Sequence, residues 1–377
     1  MRILITGGAG FIGQHLTRHL LSLNHEITIL DNFLEQVHAG NRALPANPGE
    51  HVKLIVGDVA DPAVLKPALD GQDCVVHLAA ETGTGQSMYE VSRYERTNIA
   101  GTALLYELLS KENSFRVGRI VIASSRAIYG EGTYRCERDG VVYPISRSVE
   151  EKRAGQFDTL CPQCGDACEA IPTPETAPYQ PSSFYGLTKQ VQEQMALMFG
   201  HVLKIPTVAL RYQNVYGPGQ SLQNPYTGIL AIFSNLARAG RSIQVFEDGL
   251  ESRDFVYIDD VVRATSAAVT TPLEDCNAVN VGSDERTTVL DVARLVNTFF
   301  GSPSELKVTG AFRNGDIRHG MADLTLARRL LGYKPQHTFP EGLQKFLTWA
   351  NQNKPDWNGY ERSLDEIRER GLLHQRS

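Results

Sequence analysis

The stretch Arg2-Ile3-Leu4-Ile5-Thr6-Gly7-Gly8-Ala9-Gly10-Phe11-Ile12-Gly13 decides the fold of this chain. A short apolar run enters a glycine cluster, and an amphipathic segment to Leu23 and a second apolar run at 26–30 follow. This succession predicts a strand, a helix and a parallel second strand. Glycines at the junction permit a tight turn and let the backbone approach a pyrophosphate at the positive end of the helix.

The same rhythm continues along the chain and predicts an α/β fold with a doubly wound parallel sheet. Parallel strands require crossover connections, and segments of helical length separate most of the apolar runs. The rhythm breaks over residues 131–180, which we interpret as an insertion at the carboxyl edge of the sheet. The further strand candidates are 52–56, 74–78, 119–123 and 206–211.

The organisation predicted from these patterns has two lobes and a tail. Residues 1–217 form the dinucleotide-binding domain and carry the insertion, and residues 218–345 form mainly a smaller mixed α/β lobe for the substrate. Residues 346–377 form a charged C-terminal tail. Within the smaller lobe, strands are expected at 242–246, 278–281 and 306–309, and helices are expected to start near Tyr257 and Thr288.

Composition excludes several classes of protein. The 377 residues are 42% hydrophobic and 21% charged, which is ordinary for a globular protein and excludes disorder, collagen and coiled coil. The net charge of −6 gives no general attraction for nucleic acid or an anionic membrane. No apolar run approaches the about 18 residues of a membrane span, and the first strand begins without a signal-peptide pattern. We therefore expect a cytoplasmic protein.

Three places after the predicted strands suit a dinucleotide. Asp31 ends the second strand, where a carboxylate accepts hydrogen bonds from an adenosine ribose and repels a 2′-phosphate, which favours NAD over NADP. Asp58 follows the third strand and could reach the adenine, although an aspartate there is as often a cap. Leu78-Ala79-Ala80 closes the fourth strand with small residues, consistent with close passage of a nucleotide or with tight helix packing.

A reacting centre is predicted where a helix starts near Ser182. Tyr185 and Lys189 lie four residues apart, so they share one helix face. A lysine cation beside a tyrosine stabilises its phenolate, which could then take a hydroxyl proton. Ser125, at the carboxyl end of the fifth strand, can bind the same substrate oxygen, whereas the alternative Ser124 would satisfy backbone groups.

Together these motifs resemble the extended short-chain dehydrogenase/reductases that act on nucleoside-diphosphate sugars. The resemblance runs from residue 1 to about 323, outside the insertion, and implies that a Rossmann portion binds NAD while the C-terminal lobe holds a sugar nucleotide. By motif position, Ser125, Tyr185 and Lys189 match the catalytic residues of this family. The implied cofactor contacts are Gly7, Gly10, Phe11, Ile12, Gly13, Asp31, Asn32, Asp58, Val59, Leu78, Ala79, Ala80, Asn98, Tyr185 and Lys189.

One departure from the family pattern indicates the reaction. In the 4,6-dehydratases an acidic pair follows the strand-end serine or threonine, whereas Arg126 and Ala127 occupy those positions here. Elimination then lacks its proton donors, and the related decarboxylases lose their glutamate in the same way. The remaining chemistry is that of an isomerase, a 4-epimerase. Tyr185 takes the C4 hydroxyl proton, NAD accepts the C4 hydride to give a transient 4-keto sugar, and both return on the opposite face.

The resemblance also assigns the substrate contacts. Asn214 and Arg253 match the residues that bind the diphosphate, Asp316 is a candidate for the ribose, Arg318 lies near the final contacts, and Thr82 lines the sugar pocket. The full predicted set is Thr82, Ser125, Arg126, Asn214, Arg253, Asp316 and Arg318.

Three segments look like dTDP-L-rhamnose 4-epimerases, namely 81–87, 125–132 and 224–228. UDP-glucose or UDP-N-acetylglucosamine 4-epimerases and a reductase of 4-keto-sugar nucleotides are the alternatives. Helices expected at 93–109 and 183–199 are apolar on more than one face, and relatives pair through such helices. We therefore expect a homodimer.

Four cysteines of the insertion are candidates for a structural zinc site. Cys161-Pro162-Gln163-Cys164-Gly165 has the sequence of a zinc knuckle, and Cys136 and Cys168 complete a set of four thiolates. Asp139 is the alternative to Cys168 as the fourth ligand, and four reduced cysteines without metal are the alternative to the whole site. Such a closed site would stabilise the insertion and take no part in chemistry.

Overall fold

The core of the fold is a seven-stranded parallel sheet. A computed structural model describes residues 1–38, 40, 44, 51–112, 114–222, 224, 228–301, 304–353 and 358–376. The strand order is β7-β6-β5-β4-β1-β2-β3, with β1 (Arg2–Thr6), β2 (Glu26–Asp31), β3 (Val52–Val56), β4 (Cys74–His77), β5 (Arg119–Ser125), β6 (Thr207–Tyr212) and β7 (Asn277–Val281). This order confirms the predicted Rossmann class. β1 and β4 are parallel neighbours, but the chain continues from β1 towards β2 and from β4 towards β5, in opposite directions across the sheet. A ligand crevice therefore opens at the carboxyl ends of β1 and β4.

Strand β7 departs from the predicted division into lobes. Its residues were assigned to the substrate lobe, yet they pair in parallel with β6, with Val279 opposite Leu210. Both side chains are completely buried, so this pairing buries apolar surface on the last edge of the sheet. The chain therefore leaves the sheet after β6, builds part of the lobe and returns to the sheet.

Helices cover both faces of the sheet and build the lobe. Within the part of the chain that the structure describes, no helix is long and apolar enough to cross a membrane. The helical segments are Phe11–Ser22, Glu35–His38, Pro62–Leu69, Thr84–Ser87, Val91–Tyr94, Glu95–Ala100 (a π-helix), Gly101–Lys111, Arg126–Tyr129 (a 3₁₀-helix), Val149–Arg153, Phe184–Leu203, Ile229–Arg238, Ile258–Thr270, Val289–Phe299, Thr325–Leu331, Phe339–Asn351 and Asn358–Glu369.

The C-terminal lobe consists of short strand pairs. Asn214–Tyr216 pairs with Phe255–Tyr257, Ile243–Val245 with Leu306–Val308, and Ser252–Arg253 with Thr287–Thr288. The predicted tail also belongs to the lobe, because Leu373–His374 pairs antiparallel with Phe312–Arg313. The sequence analysis did not predict helix Asn358–Glu369, because its composition is mostly charged. Apolar residues nevertheless recur within it, and Ile367 is buried.

The insertion folds as a small antiparallel sheet of its own. Tyr134–Cys136 is its central strand, between Gly140–Val142 and Glu169–Ala170. Buried Arg147 joins the insertion to the C-terminal lobe, since its guanidinium lies 3.2 Å from Glu131 and 2.7 Å from Glu247. The insertion is thereby fixed beside the carboxyl edge of the central sheet, as predicted.

Candidate active site

A cleft of about 630 Å³ opens at the carboxyl ends of β1, β4, β5 and β6. The cofactor half and the C-terminal lobe both contribute to its wall, so one cavity spans the predicted dinucleotide and sugar regions. Most of the predicted residues meet there: Gly7, Phe11, Ile12, Gly13, Leu78, Ala80, Thr82, Ser125, Arg126, Tyr185, Lys189, Asn214, Arg253 and Asp316.

The glycine loop leaves no room for side chains. Gly7 has a φ of +68°, and a Cβ placed on it would lie 2.7 Å from the backbone nitrogen of Ala79. A Cβ on Gly13 would lie 2.5 Å from the Cα of Gly8. Gly10 precedes helix Phe11–Ser22, whose N-terminal amides favour an anion. This cradle of bare backbone fits the pyrophosphate of a dinucleotide.

Asp31 ends β2 and is held in place by backbone amides. Its carboxylate accepts hydrogen bonds from Ala9 N at 3.0 Å and Phe33 N at 2.9 Å, and His38 Nε2 lies 3.5 Å away. The Asn32 side chain accepts a hydrogen bond from the next turn of the chain. Asp31 and Asn32 lie behind the cleft wall, so their contact with a ribose stays a prediction.

The remaining cofactor residues also lie outside the cleft wall. Asp58 accepts a hydrogen bond from Ala60 N at 2.9 Å and lies 3.5 Å from Arg96. It is not the helix cap, because the N-cap of helix Pro62–Leu69 is Asp61. Val59 is buried in the core, and the backbone of Ala79 closes the glycine loop from below. Asp58 can still turn one oxygen towards a ligand, because it is partly exposed.

Asn98 forms hydrogen bonds to both the segment after β4 and the helix Phe184–Leu203. Its Oδ1 accepts a hydrogen bond from Glu81 N at 2.8 Å, and its Nδ2 donates to Glu81 O at 3.1 Å and to Thr188 Oγ1 at 2.9 Å. The side chain is completely buried. Asn98 therefore ties the loop after β4 to the helix that carries Tyr185, and its direct contact with the cofactor stays a prediction.

The helix Phe184–Leu203 begins where the sequence predicts. Ser183 is its N-cap, with the hydroxyl accepting a hydrogen bond from Gly186 N at 3.1 Å. The amide of Tyr185 donates to Ser87 Oγ at 2.9 Å. Tyr185 is thus fixed in the first helical turn, against the loop that follows β4.

Two groups oppose the effect of burial on Tyr185. Burial raises the pKa of Tyr185, whereas a hydrogen bond from the Ser125 hydroxyl and the positive charge of Arg126 lower this pKa. Burial lowers the pKa of Lys189 to about 7, and Lys189 Nζ donates to Gln192 Oε1. The charge of Arg126 thus acts on Tyr185. Lys189, which the sequence predicts as the cation that favours the phenolate, lines the same cleft, and its catalytic role stays a prediction.

The choice between the two strand-end serines is resolved by their partners. Ser124 Oγ donates to the buried carboxylate of Glu193, which also pairs with Arg211 at 2.6 Å. Ser125 Oγ accepts a hydrogen bond from Ala127 N at 3.2 Å and reaches Tyr185. Ser124 therefore has a structural partner, and Ser125 is the strand-end serine that reaches Tyr185; its catalytic role stays a prediction.

Cationic groups lead from Tyr185 towards the C-terminal lobe. Arg126 Nε donates to Asn214 Oδ1 at 3.0 Å, and burial, assisted by the charge of Arg253, lowers the pKa of Arg126 to about 10. Arg253 and Asp316 also line the cleft. Two arginines that line one cleft are suited to bind a diphosphate.

Arg318 does not reach the cleft. Its side chain is 2% exposed, and its guanidinium lies 2.8 Å from Asp158, 2.6 Å from Asp248 and 3.4 Å from Glu247. The prediction of a substrate contact is thereby corrected. The partner Asp158 belongs to the insertion, whose fold the motifs of the cofactor half do not determine, so this pairing could not be predicted from the sequence.

The structure adds wall residues that the sequence analysis missed. Glu251 lines the cleft and is 7% exposed, and among the described residues its Oε2 has no hydrogen-bond partner. Burial raises the pKa of Glu251 to about 7. Its spacing from Arg253 was an available signal, because residues two apart on an extended strand share one face. The other added residues include Gln244, Phe246, Arg313, Asn314, Leu364, Ile367 and Leu372.

The insertion brings four ligand-type side chains together. The ligand atoms of Cys136, Asp139, Cys161 and Cys164 all lie within 4.8 Å of one another. Cys136 Sγ lies 3.5 Å from Cys164 Sγ, and Cys161 Sγ lies 3.2 Å from Asp139 Oδ2. Gly165 has a φ of +79°, and Gln163 N donates to Cys161 Sγ at 3.4 Å. This is the knuckle turn that the motif predicts.

Cys168 is outside this group of four. Its Sγ lies 3.7 Å from Asp166 O, and burial together with the nearby Cys161 and Cys136 thiols raises its pKa to about 11. Asp139 follows Cys136 in a tight hairpin, which carries its carboxylate back to the sulfurs. The geometry thus favours the alternative fourth ligand over Cys168.

Comparison with known proteins decides the family. Residues 3–282 match the NAD dependent epimerase/dehydratase family. The chain belongs to this family. A dTDP-L-rhamnose 4-epimerase from Burkholderia thailandensis is 40% identical over 357 residues, which cover 93% of this chain and 95% of the relative. The predicted family and the prediction of an enzyme are confirmed.

Solved structures of epimerases share the fold over almost their whole length. A UDP-glucose 4-epimerase from Thermotoga maritima with UDP-glucose is 28% identical with a TM-score of 0.75, covering 93% of this chain and 99% of the other. A UDP-glucuronic acid 4-epimerase from Bacillus cereus, in complex with UDP-glucuronic acid and NAD, is 25% identical with the same score and coverage. Both of these relatives are 4-epimerases of nucleotide sugars.

Proposed function

We propose that this protein is an NAD-dependent 4-epimerase of a nucleoside-diphosphate sugar, with dTDP-L-rhamnose as its substrate. The observation that carries the proposal is that Tyr185 lies in one cleft with Ser125, which hydrogen-bonds to it, and with Arg126, which occupies a position where a dehydratase would hold an acidic residue. The 40% identity to a dTDP-L-rhamnose 4-epimerase supports the choice of sugar. Of the loop that resembles these enzymes, residues 225–227 lie outside the described residues.

The cleft residues divide the work of binding and proton transfer. When bound, NAD supplies a reversible hydride acceptor for C4 of the sugar. Ser125 holds the C4 oxygen, and Tyr185 takes the proton of this hydroxyl and later returns it. Arg126 favours the phenolate form of Tyr185 between these two transfers. Asn214 and Arg253 bind the diphosphate, while Thr82 and Asp316 contact the sugar and the ribose.

Inversion at C4 tests the proposal directly. Purified protein is incubated with dTDP-L-rhamnose, UDP-glucose and UDP-N-acetylglucosamine, and the C4 epimers are followed by NMR. We expect inversion of dTDP-L-rhamnose without added NAD, and its loss by about 100-fold or more in Tyr185→Phe. Tyr143→Phe, a partly buried tyrosine of the insertion, is the matched control. Preference for a UDP-sugar contradicts the substrate, and dependence on added reduced dinucleotide favours the reductase.

We further propose a structural zinc ion held by Cys136, Asp139, Cys161 and Cys164. Three thiolates and one carboxylate within 4.8 Å of one another are a donor set that zinc accepts in tetrahedral sites. The ion would add to the small buried cluster of the insertion, which includes Tyr134 and Val142.

Metal analysis of purified protein tests the zinc site and its fourth ligand. We expect about one zinc per chain, its loss in Cys164→Ser and its retention in Cys168→Ser. Cys276→Ser is the control outside the insertion. Equal loss of zinc in Cys164→Ser and Cys168→Ser would contradict the assignment of Asp139.

We also propose that two copies of the chain pair through helix Phe184–Leu203. Leu187, Met198 and Val202 lie on one side of this helix and are 42%, 54% and 67% exposed. A dimer would cover these side chains. Analytical ultracentrifugation of the wild type and of Met198→Glu tests the dimer. We expect the wild type to sediment as a dimer and Met198→Glu as a monomer, because the variant places a charge in this face. The cytoplasmic location stays a prediction.

A further inference from the structure

The C-terminal segment closes one side of the cleft with aliphatic side chains. Leu364 and Ile367 of helix Asn358–Glu369 and Leu372 after it line the cavity. Their contribution to the wall is purely hydrocarbon. We call these three residues the C-terminal wall.

Contacts at both ends fix the C-terminal wall. The Tyr89 hydroxyl donates to Glu366 Oε2 at 3.2 Å, and Arg370 lies 4.1 Å from the centre of the Tyr89 ring. On the other side, Asn314 N donates to Leu372 O at 3.1 Å, and Leu373 pairs with Arg313. The segment is therefore part of the folded site.

The wall faces the part of the cleft where the sugar must lie. A Cβ on Gly85 would lie 3.9 Å from Ile367 Cγ2, so Ile367 is next to the loop after β4. Ser87 of the same loop accepts the hydrogen bond from the Tyr185 amide. A hexose whose C4 oxygen reaches Tyr185 carries its C5 substituent on the adjacent ring carbon. The C-terminal wall adjoins this segment, so its side chains are placed to contact that substituent.

Aliphatic side chains suit a methyl group at this position. A hydroxymethyl group would lose its hydrogen bonds to water without replacement, and a carboxylate would lose its hydration as well. A methyl group instead gains from removal of its apolar surface from water.

We propose that the C-terminal wall binds the C6 group of the sugar and makes the enzyme selective for 6-deoxyhexoses over hexoses and hexuronates. This inference rests on the proposed function and assigns a specificity role to residues that take no part in proton transfer. An apolar pocket discriminates against an added hydroxyl by about 10- to 100-fold, so the selectivity is of that size.

A matched pair of substrates and a matched pair of variants test the proposal. The value of kcat/KM is measured for dTDP-L-rhamnose and for dTDP-L-mannose, which differ only in a hydroxyl at C6. We expect a preference for the 6-deoxy sugar of about 10- to 100-fold. Leu372→Gln should reduce this preference several-fold, whereas Leu373→Gln should keep it, because Leu372 lines the cleft and Leu373 does not.

The outcomes separate the two proposals. If dTDP-L-rhamnose and the UDP-sugars all remain unepimerised, the proposed function fails and the inference fails with it. Epimerisation of both dTDP-sugars at equal kcat/KM overturns the wall alone. An equal loss on both substrates in Leu372→Gln also overturns it, because a merely structural residue would behave in that way. Leu364→Gln, on the half-buried side of the helix, repeats the test if Leu372→Gln fails to fold.

Discussion

Replacing Glu251 by glutamine should stabilise the protein at alkaline pH and leave acid stability unchanged. The side chain is 7% exposed, and burial raises its pKa from an ordinary 4.5 to about 7. A carboxyl with a raised pKa contributes its full stability below its unfolded pKa and loses that contribution as pH rises through its folded pKa. A difference of about 2.5 pKa units is worth about 3 kcal/mol, at about 1.4 kcal/mol per unit.

Urea unfolding of the wild type and Glu251→Gln at about pH 5 and about pH 8 measures this difference. NAD is kept at one saturating concentration, and Glu150→Gln, an exposed glutamate, is the control. We expect the stability advantage of Glu251→Gln to grow by about 3 kcal/mol between the two pH values. An advantage that is equal at both would refute the reasoning, since it would mean that Glu251 titrates like an exposed carboxyl.

The same ionisation should affect substrate binding. Glu251 lines the cleft beside Arg253, so its negative charge above pH 7 opposes the diphosphate. We expect the KM of the nucleotide sugar to rise above about pH 7 in the wild type and to stay flat in Glu251→Gln. A KM that rises equally in both would assign the titration to another group.

Two further predictions concern the cofactor loop and the insertion. Gly13→Ala places a Cβ 2.5 Å from backbone, so shifting the loop costs about 1–3 kcal/mol and should reduce the NAD that co-purifies, whereas Gly10→Ala, with 3.2 Å to its nearest contact, should lose less. Absorbance of the released cofactor measures both, and equal losses would contradict the steric argument. Arg147→Met removes the guanidinium that pairs with the buried carboxylates of Glu131 and Glu247. The free energy of unfolding, measured with urea, should fall by about 3–5 kcal/mol. Arg153→Met, an exposed arginine, is its control, and a loss as small as in Arg153→Met would show that the buried pair contributes little.

The cofactor half could be predicted from the sequence because its signals are local. Apolar runs, the glycine loop and the helix that begins at Phe184 each depend on neighbouring residues. The strand Asn277–Val281 was recognised, but its place in the central sheet was not, because a pairing partner about 70 residues earlier leaves no mark on local periodicity. The C-terminal helix was concealed by its charge.

Site residues could be predicted from the sequence where the residue type has one typical role in its motif. Tyr185, Ser125 and Arg126 lie together, as the motifs indicated. Arg318 was misassigned because an arginine suits a phosphate and a carboxylate equally well, and only the fold placed Asp158 against it. Asn98 shows the same ambiguity, since an amide can contact a ligand or tie a backbone segment to a neighbouring helix.

The pairing of Leu373–His374 with Phe312–Arg313 has a consequence for biosynthesis. Residues that finish the sugar cleft leave the ribosome more than 100 residues after the glycine loop and the helix of Tyr185. Because domains fold as they emerge, the nascent chain can acquire its dinucleotide before the cleft is enclosed. Loading of the cofactor and competence for substrate would then be separate events in the maturation of the enzyme.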